Sequence, residues 1–174
     1  LRSPLKSEPR ATSGFSARRM HPVLHPARAH RGVDYGAPMG SEVVSVASGR
    51  VLSVTSDATN GRMVRVRHAS GYVSYYLHLS AFARGIRAGL AIEQGQTLGR
   101  VGASGLATGP HLHYGLQKNG AFVNPLREHR NMPPGDPVPR SELDDFGIER
   151  QKALAIFSAP SGSGSSSSSP ALAQ

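Results

Sequence analysis

Gly109-Pro110-His111-Leu112-His113-Tyr114-Gly115 sets two of the chain's eight histidines one residue apart. On a β-strand, side chains at i and i+2 leave the same face with α-carbons roughly 6 to 7 Å apart, so His111 and His113 look into one place. Leu112, Tyr114 and Leu116 line the opposite face, the alternation of a half-buried strand. Pro110 suits its first position, where no ladder donor is needed. Upstream, His30-Arg31-Gly32-Val33-Asp34 holds an imidazole and a carboxylate four residues apart. Gly32, Gly36 and Pro38 argue against a helix there, and on an extended segment residues i and i+4 also share a face. His30, Asp34 and one of the later histidines make a set of two nitrogens and one oxygen. That set suits zinc with a fourth position open to water, and an open position marks a catalytic ion. A third cluster is Tyr75-Tyr76-Leu77-His78-Leu79-Ser80. Strict alternation places Val73, Tyr75, Leu77 and Leu79 on one face and Tyr72, Ser74, Tyr76 and His78 on the other, more polar one.

The bulk composition narrows the chemistry. The chain has 174 residues and no cysteine, so thiol catalysis and thiolate metal sites are excluded and any metal must be held by His, Asp or Glu. A net charge of +9 and a pI near 10.8 steer the protein toward a polyanion. Its arginines (Arg18, Arg19, Arg50, Arg62, Arg84, Arg100, Arg127) are scattered, and no nucleic-acid motif accompanies them, which argues against nucleic acid and leaves a carboxylate-rich cell wall, an anionic membrane surface or a charge with no dedicated partner. Leu1 is not an initiator methionine, which reads as a fragment or processed form. No apolar run approaches the roughly 18 residues of a membrane span, so a membrane would be reached only through an unseen upstream segment.

The elements that must position these residues are short strands. Residues 1–10 are polar and proline-bearing and read as a linker from an upstream region. From about 40 to 126 the pattern is all-β. SEVVSVASGRVLSVTSD reads as two strands around Gly49, MVRVRHASGYVSYYLHLS as two more around Ala69-Ser70-Gly71, and glycines punctuate GIRAGLAIEQGQTLGRVGASG as at tight turns. After Leu126 the composition shifts: REHRNMPPGDPVP reads as a loop, and SELDDFGIERQKALAIF as an amphipathic helix with Ser141 as its cap, within a segment spanning 127–158. Residues 159–174, rich in serine and glycine, have too few apolar groups to offset the entropy of ordering and read as a disordered tail.

His-Arg-Gly-Val-Asp at 30–34, Tyr-Leu-His-Leu-Ser at 76–80 and Ala-Thr-Gly-Pro-His-Leu-His at 107–113, in that order and followed by Asn-Pro-Leu at 124–126, resemble the lysostaphin-type zinc metallopeptidases, the LytM-domain family of peptidoglycan hydrolases. The resemblance spans residues 11–126, with Ser-Gly-Phe at 13–15, His21-Pro22, and Gly-Gln-Thr-Leu-Gly before the last motif. It departs where Ser16 follows Phe15 and an extra residue falls within Ala17-Arg18-Arg19-Met20. It implies a compact antiparallel β-sheet domain of the LytM, or duplicated hybrid motif, type. It also implies one zinc ion held by His30, Asp34 and His113, with His78 and His111 as catalytic histidines that do not bind the metal.

The implied activity is hydrolysis of peptide cross-links in peptidoglycan by a zinc-activated water. The segment Arg-Met-His-Pro-Val-Leu-His-Pro-Ala-Arg-Ala-His-Arg-Gly-Val-Asp (19–34) is most similar to the periplasmic murein DD-endopeptidase branch of Gram-negative bacteria. That implies cleavage between D-alanine and meso-diaminopimelate by a monomer in the periplasm or envelope. With no His-Glu-x-x-His, a histidine must act as base. His111 is assigned as general base and His78 as the group that stabilises the oxyanion or protonates the leaving amine; the two roles can also be exchanged. Tyr76, placed on the face of His78, is a candidate substrate contact. His21 reads as part of a structural turn, and His25, His68 and His129 as surface residues. Two other functions compete: a wall-binding regulator with a dead site that activates amidases, and a histidine phosphocarrier of similar fold, which leaves His-x-x-x-Asp unexplained.

Overall fold

Between residues 40 and 126 apolar residues recur at every second position with glycines between the runs, and in the computed structural model of the protein each such run is an antiparallel strand. The structure describes residues 2–6, 10–19 and 28–131. The strands are β1 (Arg10–Ser13), β2 (Ser16–Arg19), β3 (Arg28–His30), β4 (Val33–Gly36), β5 (Glu42–Val44) and β6 (Gly49–Asp57). They continue with β7 (Gly61–Arg67), β8 (Tyr72–Phe82), β9 (Ala91–Ile92), β10 (Thr97–Val101), β11 (His111–Lys118) and β12 (Ala121–Val123), and α1 (Pro125–Asn131) follows. The main sheet runs β1-β4-β11-β8-β7-β6-β9, with β12 beside β11 and β10 joining β8 to β5; β2 and β3 form a separate ribbon. The mostly antiparallel β architecture is the one the sequence predicts.

One face of this sheet is the core. Val64 and Val66 of β7, Tyr76 and Leu79 of β8, Leu112 and Tyr114 of β11, and Val33 and Tyr35 of β4 are buried together with Val43, Val51, Leu98 and Val101. Each such side chain contributes about 1.5–3 kcal/mol on leaving water. The opposite face of β4, β8 and β11 stays open, and that face carries the chemistry.

Several local expectations are corrected. Residues 2–6 do not hang free as a linker. Leu5 is 2% exposed, Arg2 N–H donates to the Val46 carbonyl at 2.8 Å, and Val44 N–H donates to that of Pro4 at 2.9 Å. A leucine between two polar stretches suffices to anchor the segment. Residues 127–131, read as loop, belong to α1. The Asn124 side chain accepts from Leu126 N–H at 3.1 Å as an N-cap, and Pro125 sits in the first turn, where its missing N–H costs nothing. His68 is buried, its Nδ1 2.9 Å from the Ser48 carbonyl and its Nε2 2.7 Å from Ser74 Oγ. His129 is half-buried against Tyr114, whose hydroxyl lies 3.0 Å from His129 Nε2. Tyr76 is fully buried, its hydroxyl accepting from Val46 N–H at 3.0 Å, and is not a substrate contact. His21, His25, the helix expected within 141–157 and the serine-rich tail lie outside the described residues.

Candidate metal centre

Register brings the distant motifs together. On β11, His113 pairs with Asp34 of β4 on one side and with Leu77 of β8 on the other, while His111 pairs with Gly36. His30 ends β3, and the chain turns through Arg31 and Gly32 before Asp34, so these two residues converge across a bend and not along one extended segment. Gly32 is required at that bend: a β-carbon there would stand 2.6 Å from both His113 Nε2 and the Tyr114 carbonyl.

Three donor atoms converge. Asp34 Oδ1 lies 2.7 Å from His113 Nδ1 and 3.1 Å from His30 Nε2, and the two nitrogens are 3.2 Å apart. His30 Nδ1–H donates to the Gly14 carbonyl at 2.6 Å, which turns the Nε2 lone pair inward. Three lone-pair-bearing atoms at such distances repel unless protons or a cation stand among them. A tetrahedral zinc ion with bonds of about 2.1 Å sets its ligand atoms about 3.4 Å apart; the two separations to His30 Nε2 are close to that, and the shorter Asp34–His113 pair would open slightly around the ion. His30, Asp34 and His113 are also the group among the described residues whose donors are placed to hold a metal. Burial alone would raise the Asp34 carboxyl, but hydrogen bonds and charge from His113 and His30 outweigh it and hold it well below the usual carboxylate range.

Two further histidines face this trio. His111 Nδ1–H donates to the Gly109 carbonyl at 2.8 Å, and its Nε2 lies 4.0 Å from Asp34 Oδ1. His78 Nδ1–H donates to the Ser104 carbonyl at 2.8 Å, and its ring centre is 4.8 Å from that of His111. Both imidazoles are held by a backbone carbonyl, so each presents Nε2 as its reactive nitrogen. Burial lowers the pKa of His78, and the neighbouring His111 and His113 lower it further, against the opposing effect of the Ser104 carbonyl.

His78 reaches this place by breaking the strand's alternation. Between Tyr76 and Leu79 three steps of β8 face only two of β7, because Tyr76 pairs with Val64 and Leu79 with Arg62. His78 absorbs the extra residue with φ of 62°, and its N–H donates to the Asn60 carbonyl at 3.1 Å. The bulge sends Leu77 and His78 together into the cleft, which encloses about 900 Å³ and is also lined by Asn60, Met63, Tyr75, Leu106 and Phe122. Alternation along the chain puts Tyr75 on the face away from His78, and Asn60, Met63, Leu106 and Phe122 carry no local signal of a site. Glycine beside His-x-x-x-Asp was a legible signal for the tight bend, whereas nothing local marked Tyr75 or Phe122.

Comparison with known proteins agrees with this geometry. The chain is 43% identical over 125 residues to the peptidoglycan DD-endopeptidase ShyC of Vibrio cholerae, an alignment covering 72% of this chain and 28% of that one. It is 38% identical over 139 residues to the DD-carboxypeptidase/endopeptidase Mpg of Neisseria meningitidis, covering 80% and 31%. The chain therefore spans about a third of the length of the curated relatives it matches. A zinc-containing peptidase from Vibrio cholerae superposes with a TM-score of 0.66 at 33% identity, covering 70% of this chain and 37% of that one. The family model of peptidase family M23 matches residues 28–125, from the strand that ends in His30 to the first residue of α1. More than half of the sequence lies in that match, and the donor trio and both remaining cleft histidines fall inside it: the chain belongs to peptidase family M23.

Proposed function

We propose that this domain is a zinc-dependent endopeptidase that cuts peptide cross-links of peptidoglycan in the periplasm or envelope of a Gram-negative bacterium. The bond is that between D-alanine and meso-diaminopimelate. The observation that carries the reading is the convergence of His30 Nε2, Asp34 Oδ1 and His113 Nδ1, faced by two histidines whose Nδ1 atoms are both occupied by backbone carbonyls. The activities named for ShyC and Mpg support the choice of substrate.

His30, Asp34 and His113 would hold the ion. When bound, it supplies positive charge that acidifies a water and polarises the scissile carbonyl. His111, with Nε2 4.0 Å from Asp34 Oδ1, is the nearer base and takes up the water's proton at that nitrogen. His78, whose pKa burial depresses, is neutral at rest. Once protonated at Nε2 it is a stronger acid than an ordinary imidazolium, which suits donation to the leaving amine. The Ser104 and Gly109 carbonyls fix both rings, so neither nitrogen must search for its partner. A silent regulator would have no need of the full donor set, and this chain keeps all three donors within bonding reach of one point.

The test is digestion of purified sacculi with mass spectrometry of the released peptides. Zinc-loaded protein should release peptides cut between D-alanine and diaminopimelate, a chelator should stop the release, and added zinc should restore it. Sacculi left intact by zinc-loaded protein overturn the reading.

A further inference from the structure

One cross-strand row below the donor trio, the open face of the sheet changes character. Asp34, His113 and Leu77 form one row; two residues further along β11, Gly115 pairs with Tyr75 and Tyr75 with Arg65. Gly115 contributes no side chain, and a β-carbon there would come within 3.3 Å of Tyr75 Cβ and 3.5 Å of Phe122 Cε1. The notch it leaves is floored by Tyr75 and Phe122, whose ring centres are 5.2 Å apart. A guanidinium stands over each ring: Arg31 5.5 Å from the centre of Phe122 and Arg65 5.1 Å from that of Tyr75. The four side chains form a continuous ladder from the Arg31 bend to β7.

No acidic group among the described residues uses those charges. Neither Arg31 nor Arg65 pairs with a carboxylate among the described residues, and Arg65 Nε is enclosed without a hydrogen-bond partner among them. Stacking on an aromatic ring holds a guanidinium in place while leaving its edge to form the two parallel bonds that match a carboxylate. Such a device costs little rotamer freedom at the moment of binding.

We infer that the Arg31–Phe122–Tyr75–Arg65 ladder is a carboxylate-binding subsite that selects peptides bearing a free carboxylate beside the bond to be cut. Its row lies about 7 Å from that of His113, or about two residues of extended peptide, so the recognised carboxylate belongs to a residue within two positions of the scissile bond. The ladder deepens the endopeptidase reading above and rests on it for the position of that bond.

Two synthetic cross-linked peptides test this, one with free carboxylates on the residues flanking the cleaved bond and one with those groups as carboxamides. Each is assayed for hydrolysis by zinc-loaded protein and for equilibrium binding to zinc-free protein by NMR titration. Wild type should show a KM roughly ten- to a hundredfold lower for the carboxylate peptide, as charge-assisted hydrogen bonds require. Arg31→Met and Arg65→Met, which keep the apolar stem, should each remove most of that preference, raising KM for the carboxylate peptide far more than for the carboxamide peptide. Retained hydrolysis of the carboxamide peptide also reports that the variants fold. Hydrolysis of both peptides with equal KM, unaltered in the variants, overturns the subsite and leaves the enzyme. Carboxylate-dependent, arginine-dependent binding with no hydrolysis of either peptide upholds the subsite and overturns the enzyme. Binding of neither peptide overturns the subsite.

Discussion

Tyr76 and His78 stand two residues apart on β8 and leave it on opposite faces of the sheet: Tyr76 is fully buried in the core, and His78 lines the cleft 4.8 Å, ring centre to ring centre, from His111. The bulge between them, with His78 at φ of 62°, decides which side chains of this strand pack and which act. A non-glycine residue in that region is sparsely populated and held by its surroundings, here by its N–H to Asn60 and its Nδ1–H to Ser104.

Substitutions at four of the polar cleft residues should separate into two classes. Asp34→Ala and His113→Ala are expected to lose both zinc and activity, because two donors do not hold the ion against a chelator. His78→Ala and His111→Ala should retain one zinc per chain while activity falls on the order of a hundred- to ten-thousandfold. Zinc content by elemental analysis alongside peptide release tells the classes apart.

Gly32→Ala should disturb the centre without touching a ligand. Its β-carbon would meet His113 Nε2 and the Tyr114 carbonyl at 2.6 Å, and the backbone partner cannot move aside cheaply. A lowered unfolding midpoint together with weaker zinc retention is the expected result, read by thermal melts with and without chelator.

Tyr76→Phe removes the hydroxyl that accepts from Val46 N–H inside the core. Leaving that donor unpaired should cost about 1–3 kcal/mol of stability while the activity of the folded protein stays near wild type. Urea unfolding and a turnover assay measure the two effects, and a selective rise in KM would instead return Tyr76 to the substrate.

His129, tucked against Tyr114, is pushed down to about 4, mainly by burial. In the unfolded chain it titrates near 6.5, so between these values the unfolded state binds more protons and folding weakens as pH falls. The contribution is complete above about pH 6.5 and is lost progressively toward pH 4. Allowing for its partial exposure it amounts to on the order of 2 kcal/mol. His129→Gln should flatten the stability profile across that window, as measured by urea midpoints at stepped pH.

Much of this protein was legible in one dimension. Period-two alternation and glycine spacing announced an antiparallel sheet, and β11 behaves as its sequence reads: Leu112, Tyr114 and Leu116 fully buried, His111 and His113 on the open face. Residue type alone named the ions' chemistry, since without cysteine only histidine and carboxylate remain to grip a metal. Parity is a local rule, however, and a single inserted residue reverses it. The bulge at His78 depends on how many residues β7 sets against β8, so alternation puts Tyr76 on the face of His78 and Tyr75 on the other, whereas Tyr75 lines the cleft and Tyr76 is buried. Register between strands far apart in sequence decided that Asp34 meets His113, and packing between distant segments decided that Leu5 is drawn into the core, that His68 is buried and that His129 is half-buried against Tyr114. Those outcomes are set by packing among distant segments, which spacing along the chain does not encode.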